Sequence, residues 1–552
     1  MRILEVRDWL AGQSWWDVTN YRAGGSGGLA MHWSRLVDLP LAALTLLFGT
    51  LLPFSQAEIA SAALIPPLQL LAALFILRGT LRCLGFRNAA ANIVLLIVPM
   101  LSLVIGNMVP LKVDHHGWQI ICALGILRLM ADRRNVRHKA LFAGLTGAVL
   151  LAISIEGLPL IATVCGIYAL FYMREENDRG LAPFLGGLAL GSIALFVATR
   201  PVPEWGHAWP DAISWPHLVG FLLSGIVAVL ALRMRQTPPP IMQAAILLGI
   251  AVAGAAPVLL TFGLTGIAPF SAIDPLVREY WLGGIQEVKP IYEQQPEKLA
   301  VLGWMSGLYV LALVTQARKL IVGEAAFGWF TVFALSGAML VLALVFFRVA
   351  LFAQLLMAPL FAAMLHDVLR SAARINSAII RVVGITLALI LLSPAGGSLA
   401  GKALAASSGA EARGPSKGIA SNCDLRRLTA LPKGRVLTPI DIGALVLLRT
   451  EHSIVAAGYH RNQAALAQAL RAFTGPVSQA HDDVVSSGAD YVVVCRGTPN
   501  MARYASASPD SFAAALLEGY RSDWLQPVPG FETGGLSVWS VSKRNGLDRA
   551  SP

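Results

Sequence analysis

Leu181-Ala-Pro-Phe-Leu-Gly-Gly-Leu-Ala-Leu-Gly-Ser-Ile-Ala-Leu-Phe-Val-Ala-Thr199 contains no charged residue. At about 1.5 Å per residue, a helix of that length covers roughly the 30 Å of hydrocarbon in a bilayer. Comparable runs lie near 58–78, 89–108, 116–131, 138–155, 157–173, 216–233, 240–262, 298–316, 325–345, 347–365 and 376–396. Of 552 residues, 56% are hydrophobic and 14% charged, and the mean hydropathy is +0.63. No soluble core needs so much apolar sequence, so a polytopic α-helical membrane protein with about twelve spans is expected, with room for an added soluble domain.

The formal charge of +11 invites a nucleic-acid reading. Lys and Arg fall mostly in alternate short loops, however: Arg78, Arg82 and Arg87; Arg128, Arg133, Arg134, Arg137 and Lys139; Arg174 and Arg179; Arg233 and Arg235; Arg318 and Lys319; Arg370 and Arg374. The positive-inside rule makes those loops cytoplasmic and accounts for the charge without a nucleic-acid partner. The opposite loops hold Val113-Asp-His-His-Gly-Trp-Gln119, Glu156-Gly-Leu-Pro159, Glu204 to His217 and a long stretch from about 264 to 297. The last span then ends outside, which puts the C-terminal segment in the periplasm of a bacterial inner-membrane protein.

Parity also places residues 1–57 outside, so a further span is expected upstream of Met1. Pro40 to Pro53 reads as an apolar helix along the outer surface, with an ordinary span as the alternative. Trp15-Trp-Asp-Val-Thr-Asn-Tyr-Arg22 suits the headgroup zone, as do Trp205, Trp209 and Trp215. Gly24 to Gly28 lacks the strand, helix and Lys context of a phosphate-binding loop.

Asp114, His115 and His116 stand where an apolar run meets an outer loop. Ionisable groups beside hydrocarbon are costly unless they meet water, a partner or a cation. Two readings stay open: a metal or catalytic cluster, or a helix start capped by Asp114 with both His interfacial. Glu156 reads equally as a site residue or an exposed turn.

After a Gly, Ala and Ser stretch at 397–420 that reads as a linker, residues 421–552 suggest an α/β layer domain. Strands are expected at Arg435 to Pro439, Ser453 to Ala457, Asp490 to Cys495 and Leu536 to Val541. Helices are expected at Asn462 to Phe473, Val477 to Ser487 and Ser511 to Tyr520. Tyr459-His-Arg-Asn462 brings His460 and Arg461 to a strand end, either as substrate contacts or as a turn with Asn462 as helix cap. Cys423 and Cys495 are expected to pair in an oxidising compartment, while Cys83, Cys122 and Cys165 stay unpaired; no zinc-type spacing occurs. The divisions are therefore 1–57, 58–396, 397–420 and 421–552.

An acidic, aromatic first outer loop, an acidic cluster at the outer end of a later span, a long late outer loop and a C-terminal outer domain together resemble the GT-C membrane glycosyltransferases. The nearest likeness is to the catalytic subunit of oligosaccharyltransferase. The resemblance implies that Asp114 matches the family's second acidic motif and helps hold a divalent cation, with His116 as its second member. Glu287, in Trp281 to Pro290, matches a loop glutamate that organises metal and acceptor. Asp441-Ile-Gly443 matches part of the family's WWDYG motif, but Pro439 and Ile440 replace its two tryptophans, so recognition of an Asn-X-Ser/Thr acceptor does not follow. Glu156 has no family counterpart. The first acidic motif is expected upstream of Met1, with Asp8 and Asp17 as possible substitutes.

Such an enzyme moves sugar from a polyprenyl-phosphate or polyprenyl-diphosphate donor, and a cation held by carboxylates neutralises its leaving group. Oxygen ligands suit Mg²⁺ or Mn²⁺, and the imidazoles of His115 and His116 shift preference toward Mn²⁺. Arg22, Arg35, Arg278 and Arg348 are candidates for phosphate or lipid headgroups. Two rivals remain: a transporter or flippase of lipid-linked sugars, and a non-catalytic relative that binds them. The sequence shows no convincing internal repeat of the kind transporters carry.

Overall fold

The computed structural model describes all residues except 26, 133, 175–179, 233–237, 264–272, 322–324, 408–422, 532–534 and 543–552. Arg133, Arg179, Arg233 and Arg235, the first part of the long outer loop and most of the expected linker lie outside the described residues. Among the described residues, seven helices are long and apolar enough to cross a membrane: Phe54–Cys83, Val136–Ile153, Ile155–Arg174, Leu181–Thr199, Pro240–Phe262, Pro296–Leu320 and Ala326–Val345. Two bent pairs follow, Phe347–Leu356 with Ala358–Ala372 at 44° and Ala378–Leu391 with Pro394–Ala406 at 76°. Three shorter apolar helices, Ala90–Met100, His116–Ala131 and Trp215–Ala231, fall on the remaining runs. The chain is a multi-pass helical membrane protein.

The Pro40 to Pro53 stretch, expected as a helix along the outer surface, falls largely on a helix at Asp38–Gly49, whose 12 residues reach only about 18 Å, too short for a bilayer. It packs on Phe54–Cys83 and leaves Leu46 and Leu47 about 60% exposed.

The run at 89–108 is not continuous. Its backbone leaves the helix at Leu101 (ψ 81°), and a short turn restarts at Ser102–Ile105. A break inside hydrocarbon strands backbone amides that water cannot reach. Gln354, fully buried, meets that need: its Oε1 accepts from the amides of Leu103 at 2.9 Å and Val104 at 3.3 Å.

Glycine sets the closest helix packing. A side chain at Gly144 would strike the backbone of Phe184, one at Gly187 the carbonyl of Leu141, and one at Gly191 would come within 2.8 Å of Ala148. The helices Val136–Ile153 and Leu181–Thr199 therefore approach backbone to backbone, as small residues permit in membranes. The same effect corrects the expected linker. Residues 394–407 form a helix that begins on Pro394 and lies against Pro296–Gln316, where Gly397 and Gly401 face Val301 and Glu297 too closely for any side chain. Over 397–407, the Gly, Ala and Ser composition that reads as a linker belongs to a packing surface.

The chain folds as two units, one comprising Met1–His32, Phe270–Ile285 and Arg413–Pro552, the other Trp33–Pro269 and Gln286–Ala412. Expected division 1–57 is thus split at His32. In the first unit, β1 (Thr19–Asn20) pairs antiparallel with β2 (Leu29–Ala30). A five-stranded sheet has β3 (Arg435–Leu437) between β4 (Ser453–Ile454) and β5 (Tyr491–Cys495), all parallel, then β7 (Leu536–Val541) and β6 (Leu525–Pro527) antiparallel. Residues 22–24 extend it past β4: the Ile454 amide donates to the Arg22 carbonyl at 2.7 Å, and the Gly24 amide to the Ile454 carbonyl at 3.1 Å. Helices Gln463–Thr474, Val477–Ser486 and Phe512–Leu517 lie close to the expected ones, while β6, Gly443–Arg449 and Pro499–Ala505 were not foreseen. Cys423 and Cys495 are disulfide-bonded, and Cys83, Cys122 and Cys165 are free.

Candidate functional site

The loop before helix His116–Ala131 is held from both ends. Leu111 takes a left-handed conformation (φ 71°), rare for a bulky residue, while its amide donates to the Ala62 carbonyl at 3.1 Å. Lys112 Nζ bonds the Gly106 carbonyl and Asn107 Oδ1 at 2.9 and 2.8 Å. Gly117 opens the helix against the Gln69 carboxamide, where no side chain has room.

This fixed loop presents Asp114, His115 and His116 together. Asp114 Oδ1 lies 2.6 Å from His115 Nδ1, and Asp114 Oδ2 lies 2.9 Å from His116 Nδ1. The imidazoles stack at 4.3 Å, and Trp33 lies 6.4 Å from His115. His115 Nε2 faces Glu156 Oε2 at 3.5 Å. Glu156 sits on the turn Ile155–Gly157, whose start is capped by Ser154 Oγ.

Arg348, on the turn Phe347–Val349, donates to both Glu156 and Glu287. Glu287 lies on the turn Gln286–Val288, and Gln294 Nε2 folds that loop by bonding the Lys289 carbonyl at 2.9 Å. The Phe347 amide reaches the same carbonyl at 3.4 Å. The cluster of Asp114, His115 and His116, and Glu156, Glu287 and Arg348, each expected apart from it, thus form one constellation inside the second unit.

Its electrostatics favour a cation. Three carboxylates face one guanidinium and, at neutral pH, the protonated His115 ring, which leaves a negative excess. Burial works against charge on Asp114, but the two imidazoles hold its carboxyl far below the ordinary range. Burial likewise lowers the His115 pKa, and Asp114 and Glu156 override it to about 9. Neither ring nitrogen of His115 makes a well-aligned hydrogen bond, although both are buried. One ligand atom from each of Asp114, His115 and His116 fits within 4.8 Å of the others. Buried nitrogens without aligned partners beside a carboxylate suit a divalent ion, which His115 would have to be deprotonated to hold.

Arg35, also in the second unit, is 1% exposed and 3.9 Å from Asp38. The other candidates lie in the first unit. Arg22 donates to the carbonyls of Leu447 and Thr450, each at 2.8 Å, so it ties backbone together. Asp17 accepts from Tyr21 at 2.9 Å and from the Thr19 amide at 2.9 Å. Its carboxyl titrates below the ordinary value; burial opposes the shift and these bonds outweigh it. Arg278 is exposed on Pro275–Tyr280. His460 and Arg461 form the turn before Gln463–Thr474, where Asn462 Oδ1 caps the helix by accepting from Ala465 at 3.1 Å, and the His460 ring packs 5.7 Å from Trp281. Asp441 is largely buried, and its Oδ1 has no hydrogen-bond partner. Sequence reading missed Gln69 and Trp33 as neighbours of the cluster, because neither carries a local signal.

No sequence-family profile and no curated protein sequence matches the chain. Solved structures do. The oligosaccharyltransferase AglB of Archaeoglobus fulgidus, solved with an inhibitory peptide and a dolichol-phosphate, aligns with a TM-score of 0.61 at 14% identity over 99% of this chain and 70% of that one. The oligosaccharyltransferase of the same organism with Zn and sulfate aligns at 0.55 and 14% identity, over 98% and 68%. The chain has the GT-C fold of these membrane proteins, with a C-terminal sheet-containing domain.

Proposed function

We propose that this chain is an integral membrane glycosyltransferase that moves a sugar from a polyprenyl-phosphate or polyprenyl-diphosphate donor to an envelope acceptor on the outer face of a bacterial inner membrane. The observation that carries the reading is the convergence of Asp114, His115, His116, Glu156, Glu287 and Arg348 in a chain of GT-C fold. A similar fold that binds dolichol-phosphate supports a lipid-linked donor. The loop charges support the orientation, with residues 421–552 as a periplasmic domain.

Asp114, His115 and His116 are the residues that would hold a divalent cation, which supplies Lewis-acid neutralisation of the donor's phosphate. Arg348 exchanges its carboxylate partners for phosphate oxygens as negative charge grows on the leaving group. That exchange frees Glu287, whose side chain is 43% exposed against 26% for Glu156. The freed carboxylate accepts the proton of the acceptor hydroxyl. The acceptor oxygen bonds the anomeric carbon, and the bond from that carbon to the phosphate oxygen breaks with its electron pair going to the phosphate.

The test is deletion in the native cell with lipid-linked sugars measured by mass spectrometry. Accumulation of one donor, cured by the wild type and not by Asp114→Ala, is expected and identifies the sugar. No accumulation, or full rescue by Asp114→Ala, overturns the reading.

A further inference from the structure

A cavity of about 220 Å³ opens in the C-terminal part of the first unit, away from every residue assigned above. Phe531 and Trp539, 7% and 3% exposed, supply apolar lining, and Arg496, Arg521 and Ser537 line it with polar atoms. No described lining residue is acidic, and among the described residues neither arginine has an ion pair. Two like charges that share a cavity with no counter-charge among the described residues attract an anion.

Arg496 is held by its side chain, and Arg521 is placed by its backbone. Arg496 Nε donates to Ser537 Oγ at 3.1 Å, which leaves its terminal nitrogens available. The preceding residue, Cys495, is fixed by β5 and by the disulfide to Cys423. Arg521 follows Tyr520, whose carbonyl accepts from Trp539 Nε1 at 3.2 Å. Arg427 steadies the lining residue Phe531 by stacking 5.2 Å over its ring and bonding the Gly530 carbonyl. A guanidinium fork matches carboxylate or phosphate oxygens. The volume lies below the roughly 300–1,000 Å³ of drug-sized sites, so a single small ring fits better than a chain.

We infer that this cavity binds an oxyanion on a small ring, namely a monosaccharide bearing a carboxylate or a phosphate. The inference stands on the first unit alone and does not depend on the transferase reading.

The experiment titrates the full-length chain in detergent with glucuronate, glucose 1-phosphate and glucose, using saturation-transfer NMR. Saturable binding of one or both charged sugars is expected, with none of glucose and weakening as salt rises; the charged sugar that binds tells carboxylate from phosphate. Arg496→Gln with Arg521→Gln is expected to weaken binding at least about tenfold, whereas Arg426→Gln, at an exposed arginine paired with Asp424, leaves it unchanged. Should the double variant unfold, Arg521→Lys, which keeps the charge and loses the fork, takes its place and is expected to weaken binding as well. Absence of saturable binding, equal binding of glucose, or binding untouched by the arginine variants overturns the inference.

Discussion

Arg348 donates its guanidinium to Glu287, joining a loop turn to a helix start 61 residues further along the chain. The same side chain reaches Glu156, so one cation holds two carboxylates that would otherwise repel.

Arg348→Gln is therefore expected to reduce transfer roughly 10²- to 10³-fold, the scale set by loss of one charge-stabilising donor. Arg348→Lys restores only part of it, since a point charge cannot fork between two partners. Single-turnover transfer from the donor that accumulates in the deletion strain measures both. Wild-type rates in Arg348→Gln would remove this residue from the reaction.

Metal dependence follows from the donor set. Chelation is expected to abolish transfer, and Mn²⁺ to restore it at lower concentration than Mg²⁺ because imidazoles stand beside the carboxylate. Asp114→Ala and His116→Ala should each weaken Mn²⁺ binding roughly 10- to 100-fold. Electron paramagnetic resonance of bound Mn²⁺ reads this without turnover, and unchanged binding in both variants would count against the cluster as a metal site.

Gln354→Leu removes the acceptor for the Leu103 and Val104 amides in an environment without water. Destabilisation of about 1–3 kcal/mol is expected. Thermal unfolding in micelles reports it, and an unchanged midpoint would show that the broken helix is satisfied some other way.

Asp441 gives a pH signature to the first unit. Burial pushes its pKa from the ordinary 3.8 up to about 6, against the amides of Asn500, Asp441 and Ile442. The native state holds the proton more tightly, so the contribution to stability is full below about pH 3.8 and is lost as pH rises through about 6. Asp441→Asn, which never ionises, should match the wild type near pH 4 and exceed it by about 3 kcal/mol at pH 7.5. A difference between the two that does not change with pH would refute this account.

The spans were legible because crossing a bilayer imposes a length and a polarity that can be read from any one run. The break at Leu101 was not, because the group that permits it, Gln354, is remote in sequence. Composition misled at 397–407 for a related reason: Gly397 and Gly401 mark close contact with Pro296–Gln316, a fact about another helix. In the site, Asp114, His115 and His116 announce themselves as neighbours in sequence. Glu156, Glu287 and Arg348 were each visible as a charge out of place, but only the fold shows that they meet. The tie of Arg22 to the carbonyls of Leu447 and Thr450 was hidden likewise.

The pairing of residues 22–24 with Ile454 also orders events during synthesis. The ribosome delivers residues 22–24 before the membrane helices described above and their partner strand β4 only after them. For that interval the early edge has unpaired amides and carbonyls. A chain that stalls before Ser453 cannot close it, so closure of this edge records that synthesis has passed the membrane helices described above.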